Sequence, residues 1–361
     1  MSIPDTDPAH LLAETVERIT PLDGAAVEAA RARQGSLTKP PGSLGVLEEV
    51  SVRLAGITGT CPPAVPARPV VAVFAADHGV VASGVTPWPQ EVTTAMVENF
   101  RAGGAAVNVL AAQAGADVVV VDIGVASDVK EDHVVWARKV RPGTADLAQG
   151  PAMTREDALA ALVTGVRVAE ELVAAGYDVI ATGDMGIGNT TASACLIAHL
   201  TGRPAAEITG RGTGIDDAML AHKTEIVASA VSRLESSASP SPDPVEVLAE
   251  VGGLEHAGLA GLVLGAAALR VPVVLDGVIA GAAALVAQAL APSAIDCCFA
   301  GHRSVEPGHA AALATLGLRP LVDLDLRLGE GSGAVLALPL VRSAAAVLRD
   351  MATFESAGIP T

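Results

Sequence analysis

The chain has 361 residues, with 23 Lys+Arg against 40 Asp+Glu and a formal net charge of −17. Half of the residues are hydrophobic, yet only 2% are aromatic, and there are 37 glycines. A chain this apolar can bury a large core, which excludes a disordered polymer. The acidic balance excludes a nucleic-acid partner, and the scarcity of rings excludes base-stacking platforms. The core must be built from Ala, Val, Leu and Ile, with Gly where chains approach closely. Cys61, Cys195, Cys297 and Cys298 form no CxxC pair and read as free thiols of a reducing cytoplasm. The opening MSIPDTDPAH has no apolar run of the kind a secretory leader carries, so a cytoplasmic location is expected. The most apolar stretch, Ala257–Ala291, is broken by Arg270, Pro272 and Asp276 into pieces shorter than the about 18 residues a membrane span requires. It reads as a buried helix, a buried strand and another helix, with no membrane partner.

In chain order, the first 60 residues carry helical patterns at Leu11–Ile19, Gly24–Arg33 and Leu44–Leu54. Runs rich in Val and Ile follow at Pro69–Ala75, Val118–Val125, Tyr177–Thr182, Pro272–Leu275, Ala294–Ala300 and Pro320–Leu326. Apolar residues run on in them without alternation, as in strands buried on both faces. Helical spacing fills Glu91–Ala114, Thr154–Ala175, Ala192–Leu200 and His256–Leu269. Thr154 is placed to cap its helix with Glu156 and Asp157 in the first turn, and Gly176 to end it. SSASPSPDP, Ser236–Pro244, has the composition of a surface loop. The last segment, Leu340–Ser356, is helical. Strands alternating with helices predict an α/β fold with a mainly parallel, Rossmann-like sheet flanked by helices. Residues 61–339 are expected to form this large domain, and residues 1–60 with 340–361 a small helical domain drawn from both chain ends.

Functional sites in such sheets lie at the carboxyl ends of strands. After the strand ending at Thr182 comes GDMGIGNTTAS, in which Gly183, Gly186 and Gly188 allow tight turns and close approach to a ligand. Asn189, Thr190 and Thr191 then open a helix whose N-terminal N–H groups suit a phosphate. The spacing G-x-x-G-x-G is neither the dinucleotide fingerprint nor a P-loop, which disfavours a nicotinamide oxidoreductase. GRGTGIDD, Gly210–Asp217, opens the helix bearing Lys223, one of four lysines, which is able to meet a phosphate or carboxylate. In LRLGEGSGA, Glu330 stands between two glycines at a strand end, as a base with a pKa raised by burial or as a helix-capping acid. Asp77-His78 read as a site or a hydrogen-bonded turn. His302 and His309 in AGHRSVEPGH lack the HExxH spacing of a metal site, and no G-x-S-x-G elbow supports a hydrolase.

The strings LTKPPGSLG, FAADHGV, PQEVT, GDMGIGNTT, VGGLEHAGLAG, VLDGVIAGAAAL and LGLRPLVDLDLRLGEGSGA occur in this order. Together they closely resemble the nicotinate-nucleotide–dimethylbenzimidazole phosphoribosyltransferase family, over about Arg31 to Ala346. The resemblance implies a homodimeric enzyme that makes α-ribazole phosphate from nicotinate mononucleotide and a benzimidazole base, with small-molecule substrates and no metal or cofactor. It implies that Glu330 is the general base and Lys223 an active-site lysine. Asp184 stands where the family usually has Glu. Gly186, Gly188, Asn189, Thr190 and Thr191 match the phosphate loop, with Gly212 on the second glycine turn. Gly301, His302 and Ser304 match a further turn at the site, and Trp88, Met96 and Leu328 the wall against the base. VVVVDIG supplies only Asp122, not the acidic pair of pyrophosphate-dependent phosphoribosyltransferases. A non-catalytic homologue that binds the nucleotide and base is the alternative, resting on Asp184.

Overall fold

A computed structural model describes residues 7–212, 214–236 and 243–360. The first six residues of the chain and positions 237–242 of the expected surface loop lie outside the described residues. Seven strands form one sheet: β1 Pro69–Ala76, β2 Asp117–Gly124, β3 Val135–Ala137, β4 Val179–Met185, β5 Val273–Leu275, β6 Cys298–His302 and β7 Pro320–Val322. Their spatial order is β3-β2-β1-β4-β5-β6-β7, and every pair is parallel. The chain winds outward from β1 in one direction and resumes at β4 in the other. The carboxyl ends of β1 and β4 therefore flank a topological switch point, where ligands bind in open α/β sheets.

Three expected elements differ in detail, and one strand was not expected. Glu91–Ala114 is two helices, Glu91–Arg101 and Ala106–Ala114, because Gly103 takes a φ of +76° between them. Ala294–Cys297 belongs to a 3₁₀ turn, Pro292–Cys297, and the strand begins at Cys298 and runs to His302. The expected Pro320–Leu326 strand pairs only as far as Val322. Strand β3 has no counterpart among the expected runs, since three residues are too few to show an apolar pattern. The long helix Arg155–Ala174 has the expected start: Thr154 Oγ1 accepts from Asp157 N (3.0 Å) while the Asp157 carboxylate accepts from Thr154 N (3.2 Å).

Helix packing follows from the shortage of large side chains. Helix Leu254–Ala268 is buried along nearly its whole length and lies against Arg155–Ala174. A Cβ on Gly165 would fall 1.9 Å from the Gly258 carbonyl oxygen, and one on Gly261 would fall 1.9 Å from that of Leu162. The two backbones thus meet directly, and Phe74 of β1 fills the remaining space beside Gly258.

Three helices, Pro8–Arg18, Gly24–Ser36 and Val46–Thr58, precede the sheet. The last helix, Ser332–Asp350, starts at the sheet's carboxyl edge, continues through Pro339 and ends against the second and third of them, while Pro8–Arg18 packs on Arg155–Ala174 and Leu254–Ala268. Ala26, Ala30, Leu37, Ala55 and Leu348 form a separate small core there, and Leu37 bridges Thr353. Ser332–Asp350 is long and apolar enough to cross a membrane by composition, but its apolar face is packed onto the sheet and Val46–Thr58. The expected division at 339/340 falls inside this continuous helix.

The backbone contact at Gly165 makes a test of the packing. Gly165→Val is expected to lower the unfolding free energy by about 3 kcal/mol, the upper range for overpacking, because backbone rather than a side chain must move. Urea denaturation measures it.

Candidate active site

A cavity of about 390 Å³ opens over the carboxyl ends of the strands. Its lining includes Asp184, Gly186, Asn189, Thr190, Gly212, His302, Ser304 and Glu330, with Trp88, Met96 and Leu328 around them. A smaller cavity shares Gly186, Asn189, Thr190 and Gly212 with it and adds Gly188, Thr191 and Lys223. The structure thus brings together all of the expected site residues except Gly301. That glycine lies within β6, where a Cβ would meet Ala334 Cα at 2.7 Å, behind the wall formed by His302.

The glycine loop after β4 departs from its expected role in part. A Cβ on Gly183 would fall 2.5 Å from the Glu330 carbonyl oxygen, and one on Gly186 would fall 2.3 Å from that of Ala76. Gly183, within β4, and Gly186 thus admit the protein's own backbone on their Cβ side, and Gly186 also lines both cavities. Gly188 takes a φ of +93° and ends the loop at helix Asn189–Thr201, whose N-terminus has no side-chain cap. Its partial positive charge faces the cavities. Lys223 Nζ donates to Thr190 Oγ1 (2.8 Å) and to the Gly210 carbonyl (3.2 Å). Burial brings the Lys223 pKa down to about 8, with Glu306 acting in the opposite direction. Gly212 N donates to the Glu306 carboxylate (2.8 Å). This end of the site collects a helix N-terminus, an ammonium and hydroxyls, the donor set for a phosphate.

Carboxyl groups gather at the other end. Asp184, at the end of β4, is buried; Oδ2 accepts from Asn189 Nδ2 (3.0 Å) and Oδ1 has no partner among the described residues. Burial, with Asp276, Glu255 and Glu330 nearby, pushes its pKa well above the ordinary carboxylate value and favours the protonated acid. Glu330 is also buried, and its Oε2 accepts only a long bond from Val107 N (3.4 Å). Burial raises its pKa, the Val107 N–H lowers it and the charge of Asp276 raises it further. Its φ is +64°, between Gly329 at +86° and Gly331 at +96°. A left-handed non-glycine residue costs about 1–2 kcal/mol, so packing holds Glu330 in a conformation it would not choose alone. Trp88 and Leu328, 49% and 57% exposed, stand at the mouth.

These features find a match among known proteins. A model of a family described as "Phosphoribosyltransferase" matches residues 19–359. The chain belongs to that phosphoribosyltransferase family. A nicotinate-nucleotide–dimethylbenzimidazole phosphoribosyltransferase of Salinispora tropica is 57% identical, covering 97% of this chain and 99% of that one. One from Chloroflexus aggregans is 56% identical, with 97% and 98% covered. The crystal structure of CobT from Thermus thermophilus superimposes with a TM-score of 0.90 at 51% identity, covering 93% of this chain and 99% of that one.

Within this phosphoribosyltransferase, Asp77-His78 supports the site from below. His78 is fully buried beside Gly186 and Gly188. Its Nε2 lies 2.7 Å from Glu255 Oε1, which is 2.8 Å from His256 Nδ1; His256 Nε2 meets Ser193 Oγ at 2.7 Å. Burial disfavours the charged forms, but the attraction between His78 and Glu255 outweighs it, raising the His78 pKa and lowering that of Glu255. His309 is different. It accepts from Ser304 N (3.0 Å), and burial next to His302 brings its pKa down to about 4, so it is neutral and structural.

Sequence reasoning missed Glu255, Glu306 and the part played by Asp276. Glu255 and Asp276 sit in apolar, glycine-rich strings, where a buried acid was the signal available, and Glu306 lies in the polar HRSVEPGH. Loss of one partner from the His78–Glu255 pair leaves a buried charge. His78→Ala is expected to cost about 3–5 kcal/mol by urea denaturation. The raised His78 pKa makes this contribution full below the ordinary histidine value and lost as pH rises through the folded value. The lowered Glu255 pKa makes it fall away only in acid. The variant's deficit should therefore be largest near about pH 6 and shrink in alkali.

Proposed function

We propose that the protein transfers the phosphoribosyl group of nicotinate mononucleotide to 5,6-dimethylbenzimidazole, giving α-ribazole 5′-phosphate and nicotinate. The observation that carries this reading is a pair of adjoining cavities that share Gly186, Asn189, Thr190 and Gly212, the smaller with a phosphate donor set and the larger with the buried carboxyl of Glu330 beside apolar walls. The names of the full-length relatives agree with it.

In this reading the 5′-phosphate is held by the Asn189 helix N-terminus, Thr190, Gly212 and Lys223. Trp88, Met96 and Leu328 flank the flat base. A benzimidazole nitrogen donates its lone pair to C1′ from the face opposite nicotinate. The C1′–N bond to nicotinate breaks, and its electron pair neutralises the pyridinium ring. Attack from the opposite face inverts C1′ and gives the α-linkage. The second ring nitrogen of the base loses its proton to Glu330, whose raised pKa makes it a better acceptor than a solvated glutamate. Asp184, whose pKa burial raises, has one carboxyl oxygen free to pair with the substrate. A homodimeric, cytoplasmic enzyme with a small helical domain from both chain ends belongs to the same proposal. The non-catalytic alternative rests on Asp184, and that residue remains on the cavity wall.

Incubation with both substrates should release nicotinate and α-ribazole phosphate in equal amounts, read by mass; a protein that binds the nucleotide without turnover refutes the reading. Glu330→Gln should lower kcat by about 10²–10⁴-fold.

Lys223 supplies a pH test. Its cationic form dominates below about pH 8 in the free enzyme, so kcat/KM for the nucleotide should fall as pH rises through that value. Lys223→Met should raise the nucleotide KM by roughly 10–100-fold, the worth of a hydrogen bond to a charged group, and abolish the alkaline limb.

A further inference from the structure

Asp276 follows β5 and is fully buried. Its carboxylate accepts three backbone N–H groups from a segment far along the chain: Gly331 on Oδ2 (3.1 Å), and Gly333 (2.8 Å) and Ala334 (3.0 Å) on Oδ1. The Asp276 N–H in turn donates to Thr182 Oγ1 of β4 (2.9 Å), which fixes the carboxylate relative to the strand that ends in Asp184. The Gly331 N–H is part of the peptide plane that begins at the Glu330 carbonyl. Asp276 therefore grips the backbone of Glu330 itself, within a run of three left-handed residues.

We propose that Asp276 is a positioning residue for the transfer reaction, holding the left-handed turn that aims Glu330 into the cavity. This rests on the reading that Glu330 takes the proton from the base. Ordinary helix caps in this chain are local. Asp23, Asp216 and Asp243 each sit immediately before the helix they cap. Asp276 instead reaches across from another strand, and the helix it serves has only Gly331 at its own cap position. It also fills the N-terminus of Ser332–Asp350 with a negative charge. Three helices begin at the cavity, Asn189–Thr201, Val278–Leu290 and Ser332–Asp350, and only the last has its N-terminal N–H groups taken up by Asp276.

The experiment compares steady-state kinetics of the full chain as wild type, Asp276→Ala, Asp276→Asn, Glu330→Gln and the Asp276→Ala/Glu330→Gln pair, with nicotinate mononucleotide and dimethylbenzimidazole. Asp276→Ala should lower kcat by about 10²-fold or more while the nucleotide KM moves less than about threefold, as misplacement of a catalytic group does. Asp276→Asn keeps an oxygen for Gly333 and Ala334 and should recover at least about tenfold of that loss. In the Glu330→Gln background Asp276→Ala should add less than about threefold, since both act through one group. Calorimetric titration with nicotinate mononucleotide reports whether each variant keeps a folded phosphate site. A wild-type kcat in Asp276→Ala, a rise in KM at unchanged kcat, or full additivity with Glu330→Gln overturns the proposal. So does loss of nucleotide binding in both Asp276 variants, which marks a purely structural role. An inactive wild type refutes the function reading instead.

Discussion

The carbonyl of Glu330 rests directly on Gly183, where a Cβ would leave only 2.5 Å. That contact sets the height of the final loop over the sheet, and much of the site depends on it. Any side chain at position 183 would lift Glu330 off the end of β4 and away from the nucleotide end of the cavity. The same device recurs where Gly186 meets the Ala76 carbonyl, and where Gly165 and Gly261 join two helices. A chain poor in aromatic rings gains its close packing by bringing backbones together. The arrangement has a cost in conformational entropy for each glycine, and burial of the aliphatic core must offset it. In return the loops around the cavity have little freedom to drift, which is what a reaction governed by orientation needs.

Much of the sheet was legible because parallel strands buried on both faces write long apolar runs. β1 and β2 were placed within one residue of their ends on that signal, while β4 starts two residues later and ends three residues later than its run, at Met185. β3 and β7 were missed or overdrawn, since edge strands pair over only three residues and leave no pattern. The helix break at Gly103 and Gly104 was hidden because apolar spacing continues on both sides of it. At the site, the glycine loops and Glu330 stood out by their place after strands. Asp276 did not, because a single acid in VVLDGVIAG looks like an interruption of an apolar run. Its partners lie 55 to 58 residues away, and only the folded chain shows them.

Asp184 shows how a shorter side chain is accommodated. Its Oδ2 is held by Asn189, the first residue of the phosphate-facing helix, so the carboxyl stays close to its own strand. A glutamate would carry the group one methylene farther into the cavity. The aspartate keeps the charge state favoured by burial but leaves more room beside it. The unpartnered Oδ1 lies on a cavity wall, where a polar atom of an entering substrate can pair with it. A buried polar atom left without a partner costs free energy, so a substrate that pairs with it gains that energy on binding.

A protein with a net charge of −17 that takes up an anionic nucleotide works against its own long-range field. Salt screens that field beyond about 8–10 Å, so the local arrangement decides. Around the cavity, burial raises the pKa values of Asp184 and Glu330, so each holds a proton more readily than a solvated acid. Asp276 stays close to three N–H donors, so its charge is answered by the Ser332 helix rather than turned on the substrate. Lys223, one of only four lysines, is buried beside the other helix N-terminus. Its pKa, brought down to about 8, still leaves it mostly cationic at neutral pH, and an arriving phosphate favours that form further. Asp276 is thus answered by backbone donors, while the donors suited to an anion gather around Lys223 and the Asn189 helix N-terminus. The burial that raises the Glu330 pKa gives its carboxylate the affinity for a proton that the transfer requires.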